Sequence, residues 1–149
     1  MSPAAVGPAS DPGCTFCRIV AGAEPAHVVL DDDVAVAFLD SRPLFPGHTL
    51  LVPRPHLVAL PDLPLESVGP LFERAQALSV AVRDATGAKG SFVAMNNVVS
   101  QSVPHLHVHV VPRTRGDGLK GFFWPRTRYA DEAHAASVAA SIREALASG

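Results

Sequence analysis

The chain has 149 residues, a length for one domain, and 48% of them are hydrophobic, which allows a true core. Only 17% are charged, which excludes a disordered polyelectrolyte, and the formal net charge of -2 gives no general pull towards nucleic acid or anionic membranes. No apolar run approaches the ~20 residues a membrane helix requires.

Residues 1–13 are small, proline-rich and almost uncharged, so they are expected to be a flexible tail, with residues 14–149 forming a single domain. The opening stretch has neither a basic region nor an apolar core, and so reads as no export signal. The two cysteines, Cys14 and Cys17, form a CxxC pair. In a chain without an export signal this argues for a metal or redox role in a reducing cytoplasm rather than a disulfide scaffold.

Residues 14–22 carry Phe16, Ile19 and Val20 at near-helical spacing, with Gly22 as a stop. Residues 27–30 and 34–39 read as two valine-rich strands joined by the acidic turn Asp31-Asp32-Asp33, expected to be a solvated hairpin tip. Residues 40–47 hold two prolines and a glycine and are loop; residues 48–52 are a third strand, stopped by Pro53 and Pro55. From residue 65 to about 86, Val68, Leu71, Phe72, Ala75, Leu78 and Val82 make one apolar stripe, so this segment is a helix. Asp62 lies near its start and Gly87 suits the left-handed position after its end. Residues 91–96 and 105–111 are the fourth and fifth strands, and a second helix runs from Asp131 to about residue 147, with Asp131 as a cap and Val138, Ile142 and Leu146 at helical spacing. The order predicts an α+β fold with a largely antiparallel sheet.

The most distinctive stretch is Pro104-His105-Leu106-His107-Val108-His109-Val110-Val111-Pro112. Alternation at period two places the three histidines on one face of a strand and Leu106, Val108 and Val110 on the other. Three imidazoles are costly as packing, because each ring has two nitrogens to satisfy; a merely wet face would take serine, threonine or lysine as readily. At ~3.3 Å per residue, the ends of the run are roughly 13 Å apart, so one straight strand does not close all three rings on a single ion. A row of imidazoles with separate tasks along a groove is the natural reading.

His-Leu-His-Val-His-Val-Val resembles the signature of the histidine triad family of nucleotide hydrolases and transferases. The segment from Val36 to Asp40, followed by Pro46-Gly47-His48 and on to His56, is similar to the family's second signature. The resemblance implies a five-stranded sheet carrying the long helix, with two subunits pairing into a continuous sheet as a homodimer. It implies that His107 attacks the α-phosphate of a purine nucleotide and forms a nucleotidyl-histidine. Its other ring nitrogen would donate to a backbone carbonyl on a neighbouring strand. His109 would hydrogen-bond the phosphate or bridging oxygen, and His48 would support the triad. His105 is the third catalytic candidate of the triad but would not relay protons freely if it holds zinc. Asp40 would take the ribose hydroxyls, while Phe38 and Ile19 would pack on the base; Phe38 reads equally as core and His48 equally as a satisfied buried histidine. Gln101 and Ser102 would hold the phosphate and leaving group, with Asn96 or Asn97 in the asparagine role; Ser100 stands where the family usually has glycine.

CxxC spacing lets two thiolates close on one tetrahedral ion, which then needs two more ligands. Family members with an N-terminal CxxC bind zinc through a set matching Cys14, Cys17, His56 and His105, and four protein ligands make such a zinc structural. An idle thiol pair and a thioredoxin-like motif are the other readings of the cysteines. No organic cofactor is implied.

Residues 113–129 interleave Arg113, Arg115, Lys120, Arg126 and Arg128 with Phe122, Phe123, Trp124 and Tyr129. Nucleic acid is the weaker reading of this mixture; a cover over the site, a dimer contact or attraction for an anionic leaving group are the others. The expected activity is hydrolysis or nucleotidyl transfer on dinucleoside polyphosphates, nucleoside phosphoramidates or related adenylated compounds. The rivals are a zinc-stabilised nucleotide-binding module without turnover and an enzyme that uses the triad as redox-metal ligands.

Overall fold

The computed structural model describes residues 10–119 and 126–149. These fall into two compact units, divided after Asp117.

The first unit is built on an antiparallel sheet of five strands in the order β1-β2-β3-β5-β4. The strands are β1 (Val28–Asp31), β2 (Ala35–Leu39), β3 (Thr49–Pro53), β4 (Gly90–Ala94) and β5 (Val108–Arg113). Short helix α1 (Thr15–Val20) precedes them, and α2 (Leu65–Thr86) follows β3. Every strand pairing is antiparallel, so the expected α+β class with one long helix holds.

Period-two alternation in the inner strands divides the core into two layers. Ala35, Ala37, Leu51, Leu106, Val108 and Val110 pack with Leu71, Ala75, Leu78 and Val82, the stripe of α2. Their neighbours Val36, Phe38, Leu50 and Val52 turn to the opposite side and pack with Cys14, Phe16 and Cys17 of the α1 region. Each fully buried aliphatic side chain contributes roughly 1.5–3 kcal/mol, so the α2 layer fixes which face of the sheet the histidines take. Phe72, expected in the stripe, is 38% exposed at its margin.

Gly87 adopts the left-handed conformation (φ 70°) and its N–H closes α2 on the Arg83 carbonyl. The other end departs from expectation. Pro64 is the N-cap and makes no side-chain cap, while the Asp62 carboxylate accepts from the Ala59 N–H at 3.1 Å. The acidic hairpin tip is more than solvated: Asp32 accepts from the N–H groups of Val34 and Ala35 at 2.9 and 3.0 Å and from Arg74 of α2 at 2.8 Å. These backbone donors, and then Arg74, hold its carboxyl below the usual aspartate range.

β5 starts at Val108, not at residue 105. β3 pairs with it only from Thr49 to Leu51, against Val110 to Val108. Upstream, the His105 N–H bonds the Val103 carbonyl and the Leu106 N–H bonds the Leu57 carbonyl. The expected alternation survives there without a ladder, because Leu106 still packs into the α2 layer.

In the second unit, α3 (Glu132–Ser148) is capped as expected: the Asp131 carboxylate accepts from the His134 N–H at 2.7 Å. None of its residues is buried, and Ile142 and Leu146 are exposed. Among the described residues no helix is long and apolar enough to cross a membrane.

Candidate active site and metal centre

The four sequence-nominated metal ligands come together. The donor atoms of Cys14, Cys17, His56 and His105 all lie within 4.8 Å of one another. His105 Nδ1 is 3.5 Å from both sulfurs, and His56 Nδ1 is 3.2 Å from Cys17 Sγ. Zinc bonds of ~2.3 Å to sulfur and ~2.0–2.1 Å to nitrogen imply S···N edges of about 3.6 Å in a tetrahedron, so the residues fit that ion. The His105 tautomer also fits. Its Nε2–H donates to the Pro53 carbonyl at 3.0 Å, which leaves Nδ1 with its lone pair towards the sulfurs. Both cysteines are buried and free. Burial raises the Cys14 thiol above its ordinary pKa and lowers that of the His105 imidazole.

Beside this cluster a cavity of about 920 Å³ opens on the same side of the sheet, lined in part by Phe16, Ile19, Phe38, Asp40, His107 and His109. His107 is buried, and its Nδ1–H donates to the carbonyl of His105 at 2.8 Å. The expected acceptor was a carbonyl on a neighbouring strand; the acceptor is two residues back in the same segment, which is free of the ladder at that point. Nε2 of His107 is thereby the ring nitrogen that keeps a lone pair. The Phe16 ring stands edge-on to His107 at 5.1 Å between centroids and limits its tilt.

A second chain of hydrogen bonds sets His109. The Leu44 N–H donates to His48 Nδ1 at 3.1 Å, so His48 carries its proton on Nε2. That Nε2–H faces His109 Nδ1 at 2.9 Å, and His109 therefore bears its own proton on Nε2. Asp40 Oδ2 lies 3.6 Å from His48 Nε2. Asp40, His48 and His109 also bring three potential ligand atoms together, but the short N–H···N bond accounts for the contact of the two rings. Burial is the main reason that both histidines are hard to protonate: it lowers His48 and pushes His109 down to about 4. His107 and His48 add to the effect at His109, and Asp40 opposes it.

The other nominated residues divide. Phe38 is both core and cavity wall, being 3% exposed, and Ile19 and Ser102 also line the cavity. Asn96, Asn97 and Gln101 spend side-chain bonds on backbone. Asn96 Nδ2 donates to Ser100, Asn97 Oδ1 accepts from Leu60, and Gln101 bridges the Val98 N–H and the Val58 carbonyl. Val98 and Ser100 have φ of 71° and 60°; Ser100 thus takes the left-handed backbone that the family's glycine suits.

Four further wall residues have no site role in the sequence reading: Phe16, which figures there only in the helical pattern, Glu24, His27 and Arg42. Phe16 was findable, since it sits three residues before Ile19 on the same helix face. Of the basic-aromatic segment, Lys120, Phe122, Phe123 and Trp124 lie outside the described residues. Arg113 is paired with Asp117 at 2.6 Å, and the Tyr129 ring packs on His134.

Two extended core faces, a triad on the face opposite α2 and a cavity against its middle ring define a histidine triad domain. A sequence model of the HIT domain matches residues 21–116. The chain is 30% identical over 114 residues to the adenosine 5'-monophosphoramidase hnt1 of Schizosaccharomyces pombe, covering 75% of this chain and 83% of that one. Its fold is similar to that of SMU.412c from Streptococcus mutans, with a TM-score of 0.84 and 32% identity over 92% of this chain and 87% of that one. A zinc-bound histidine triad protein from Mycobacterium smegmatis matches with a TM-score of 0.69 and 34% identity, covering 92% and 98%.

The chain belongs to the histidine triad family, in the branch with a zinc-binding type of cysteine and histidine cluster, and that family includes nucleotide hydrolases.

Proposed function

We propose that this protein hydrolyses nucleoside phosphoramidates, and with them dinucleoside polyphosphates, through a nucleotidyl intermediate on His107. Nε2 of His107 attacks the α-phosphorus; a P–N bond forms as the bond to the leaving group breaks. Water then cleaves the nucleotidyl-imidazole, releasing a nucleoside monophosphate and restoring the ring. Splitting one displacement in two lowers each barrier. His109, neutral and protonated on Nε2, donates a hydrogen bond to a phosphate or bridging oxygen where charge develops. Asp40 takes the ribose hydroxyls, Ser102 faces the phosphate, and Phe38 and Ile19 flank the base. Asn96, Asn97 and Gln101 shape the turn that presents Ser102.

The observation that carries this reading is the 2.8 Å bond from His107 Nδ1–H to the His105 carbonyl, which reserves Nε2 for attack. The name of the fission yeast relative supports the phosphoramidate class. Zinc held by Cys14, Cys17, His56 and His105 has a structural role, since four protein ligands leave no position for substrate. The protein acts as a cytoplasmic homodimer, with β4, the last strand in the sheet order, offering an edge for pairing; light scattering at micromolar concentration checks the dimer.

The test is to incubate the protein with adenosine 5'-phosphoramidate, quench without acid and map the adduct by mass spectrometry. An AMP adduct on His107, and loss of turnover by at least about 1,000-fold in His107→Ala, are expected. An adduct elsewhere, or tight AMP binding by a wild type that never turns over, overturns the reading.

A further inference from the structure

We propose that Glu24 makes the base end of the cavity selective for guanine. The inference rests on the nucleotide reading above and names the base that the site prefers.

The cavity has a direction. α1 begins beside the reacting end, where Phe16 touches His107, and Ile19 continues the wall further along the helix. Beyond the helix, Glu24 and His27 complete the wall. A base lying against Phe38 and Ile19 therefore turns an edge towards these polar groups. The register shift in β1 between Val28 and Leu30 belongs to the same stretch. With it, the Leu39 N–H bonds the His27 carbonyl, which places residue 27 next to the strand end that leads into Asp40.

Glu24 is a held carboxylate rather than a loose one. Its Oε2 accepts from Arg18 Nε at 2.8 Å. Arg18 is itself fixed, donating to the Pro12 carbonyl at 3.0 Å and to Thr15 Oγ1 at 3.2 Å. The N–H groups of Ala23 and Glu24 both bond the Arg18 carbonyl, so backbone and side chain are anchored to the same residue. The pair is about one-third exposed and contributes little to stability. Its use is to present a fixed anionic acceptor at the rim of an apolar slot.

An ionised carboxylate only accepts. Guanine offers it two adjacent donors, N1–H and the 2-amino group. Adenine turns an unprotonated N1 to the same place, and its lone pair meets the negative charge. Arg42, whose backbone N–H donates to Asp40 Oδ1 at 2.9 Å, lines the same cavity, and its guanidinium carries donors of the kind that suit guanine O6 and N7. A bidentate contact to a base edge discriminates between bases by roughly 5- to 150-fold; at a half-open rim a value towards the low end applies, about tenfold.

The experiment compares guanosine and adenosine 5'-phosphoramidates in wild type and in Glu24→Gln, which keeps the shape but replaces one acceptor with a donor. The wild type is expected to favour guanosine about tenfold in kcat/KM, and the variant's ratio to fall within about twofold of one. A wild-type ratio near one, a preference for adenosine, or a ratio unchanged by Glu24→Gln overturns the assignment. GMP and AMP affinities by calorimetry separate this outcome from failure of the wider reading. If neither phosphoramidate is turned over, the hydrolase proposal fails, and the GMP to AMP affinity ratio alone decides the role of Glu24; if neither nucleotide binds, both fail.

Discussion

His48 Nε2 and His109 Nδ1 stand 2.9 Å apart, and this bond decides which nitrogen of His109 carries the proton. His48 is in turn fixed by the Leu44 N–H. In His48→Ala, His109 Nδ1 loses its donor and the ring is free to carry its proton on either nitrogen. Loss of one hydrogen bond to a buried group is worth ~1–3 kcal/mol. If it is felt mainly in the transition state, kcat falls about 10–100-fold with a smaller change in KM. Steady-state kinetics on a phosphoramidate, beside a melting curve showing a folded variant, check this.

Acid should weaken the fold through His109. Its ordinary value is 6.5, and in the folded protein it lies at about 4, chiefly because of burial. Between these values the unfolded chain binds a proton that the folded chain does not, so stability rises with pH. The contribution is complete above about pH 6.5 and is lost as pH falls towards 4. That interval corresponds to ~3 kcal/mol at most. Urea unfolding at pH 7 and pH 4.5 should show a smaller pH difference in His109→Asn than in wild type; an equal difference would refute the prediction.

Metal analysis of the purified protein should give one zinc per chain. At free zinc about 1,000-fold above Kd, linkage adds ~4 kcal/mol to stability. A chelator should therefore lower the melting temperature of the wild type and leave Cys17→Ser unchanged. A metal-free protein whose melting temperature ignores the chelator would contradict the site.

Gly47 precedes His48 with φ +99°, and a Cβ there would stand 2.6 Å from Thr86 Cγ2 at the end of α2. Gly47→Ala meets both the backbone strain and this contact, at a combined cost of roughly 2–4 kcal/mol. Calorimetric melting should show a loss of several degrees, together with reduced turnover, because His48 is the next residue. An unchanged melting temperature would show that the loop shifts freely.

What the sequence discloses and what it conceals follow from the range of each interaction. The stripe of α2, the apolar runs of β2 and β3 and the cap at Asp131 are local patterns, and they are legible. The CxxC pair is local too; its completion by His56 and His105 comes through family resemblance, since 39 and 88 residues separate Cys17 from its partners. The start of β5 is not legible. It depends on where β3 runs out at Pro53, whose carbonyl takes an imidazole N–H from His105. Asn97 and Gln101 look like ligand-binding amides in a polar turn. Only the approach of residues 58–60 shows that their bonds are used on backbone. Glu24 and His27 are invisible as wall residues, because a bulge in β1 and an anchoring arginine place them there.

His105 works at two sites with one set of covalent bonds. Its ring faces the sulfurs while its main-chain oxygen grips the ring of His107. A torque on that imidazole passes through the Cβ–Cα lever to the neighbouring carbonyl. Alterations in the cysteine pair thus have a mechanical route to the aim of His107 Nε2, the nitrogen proposed to attack, without entering the cavity at all.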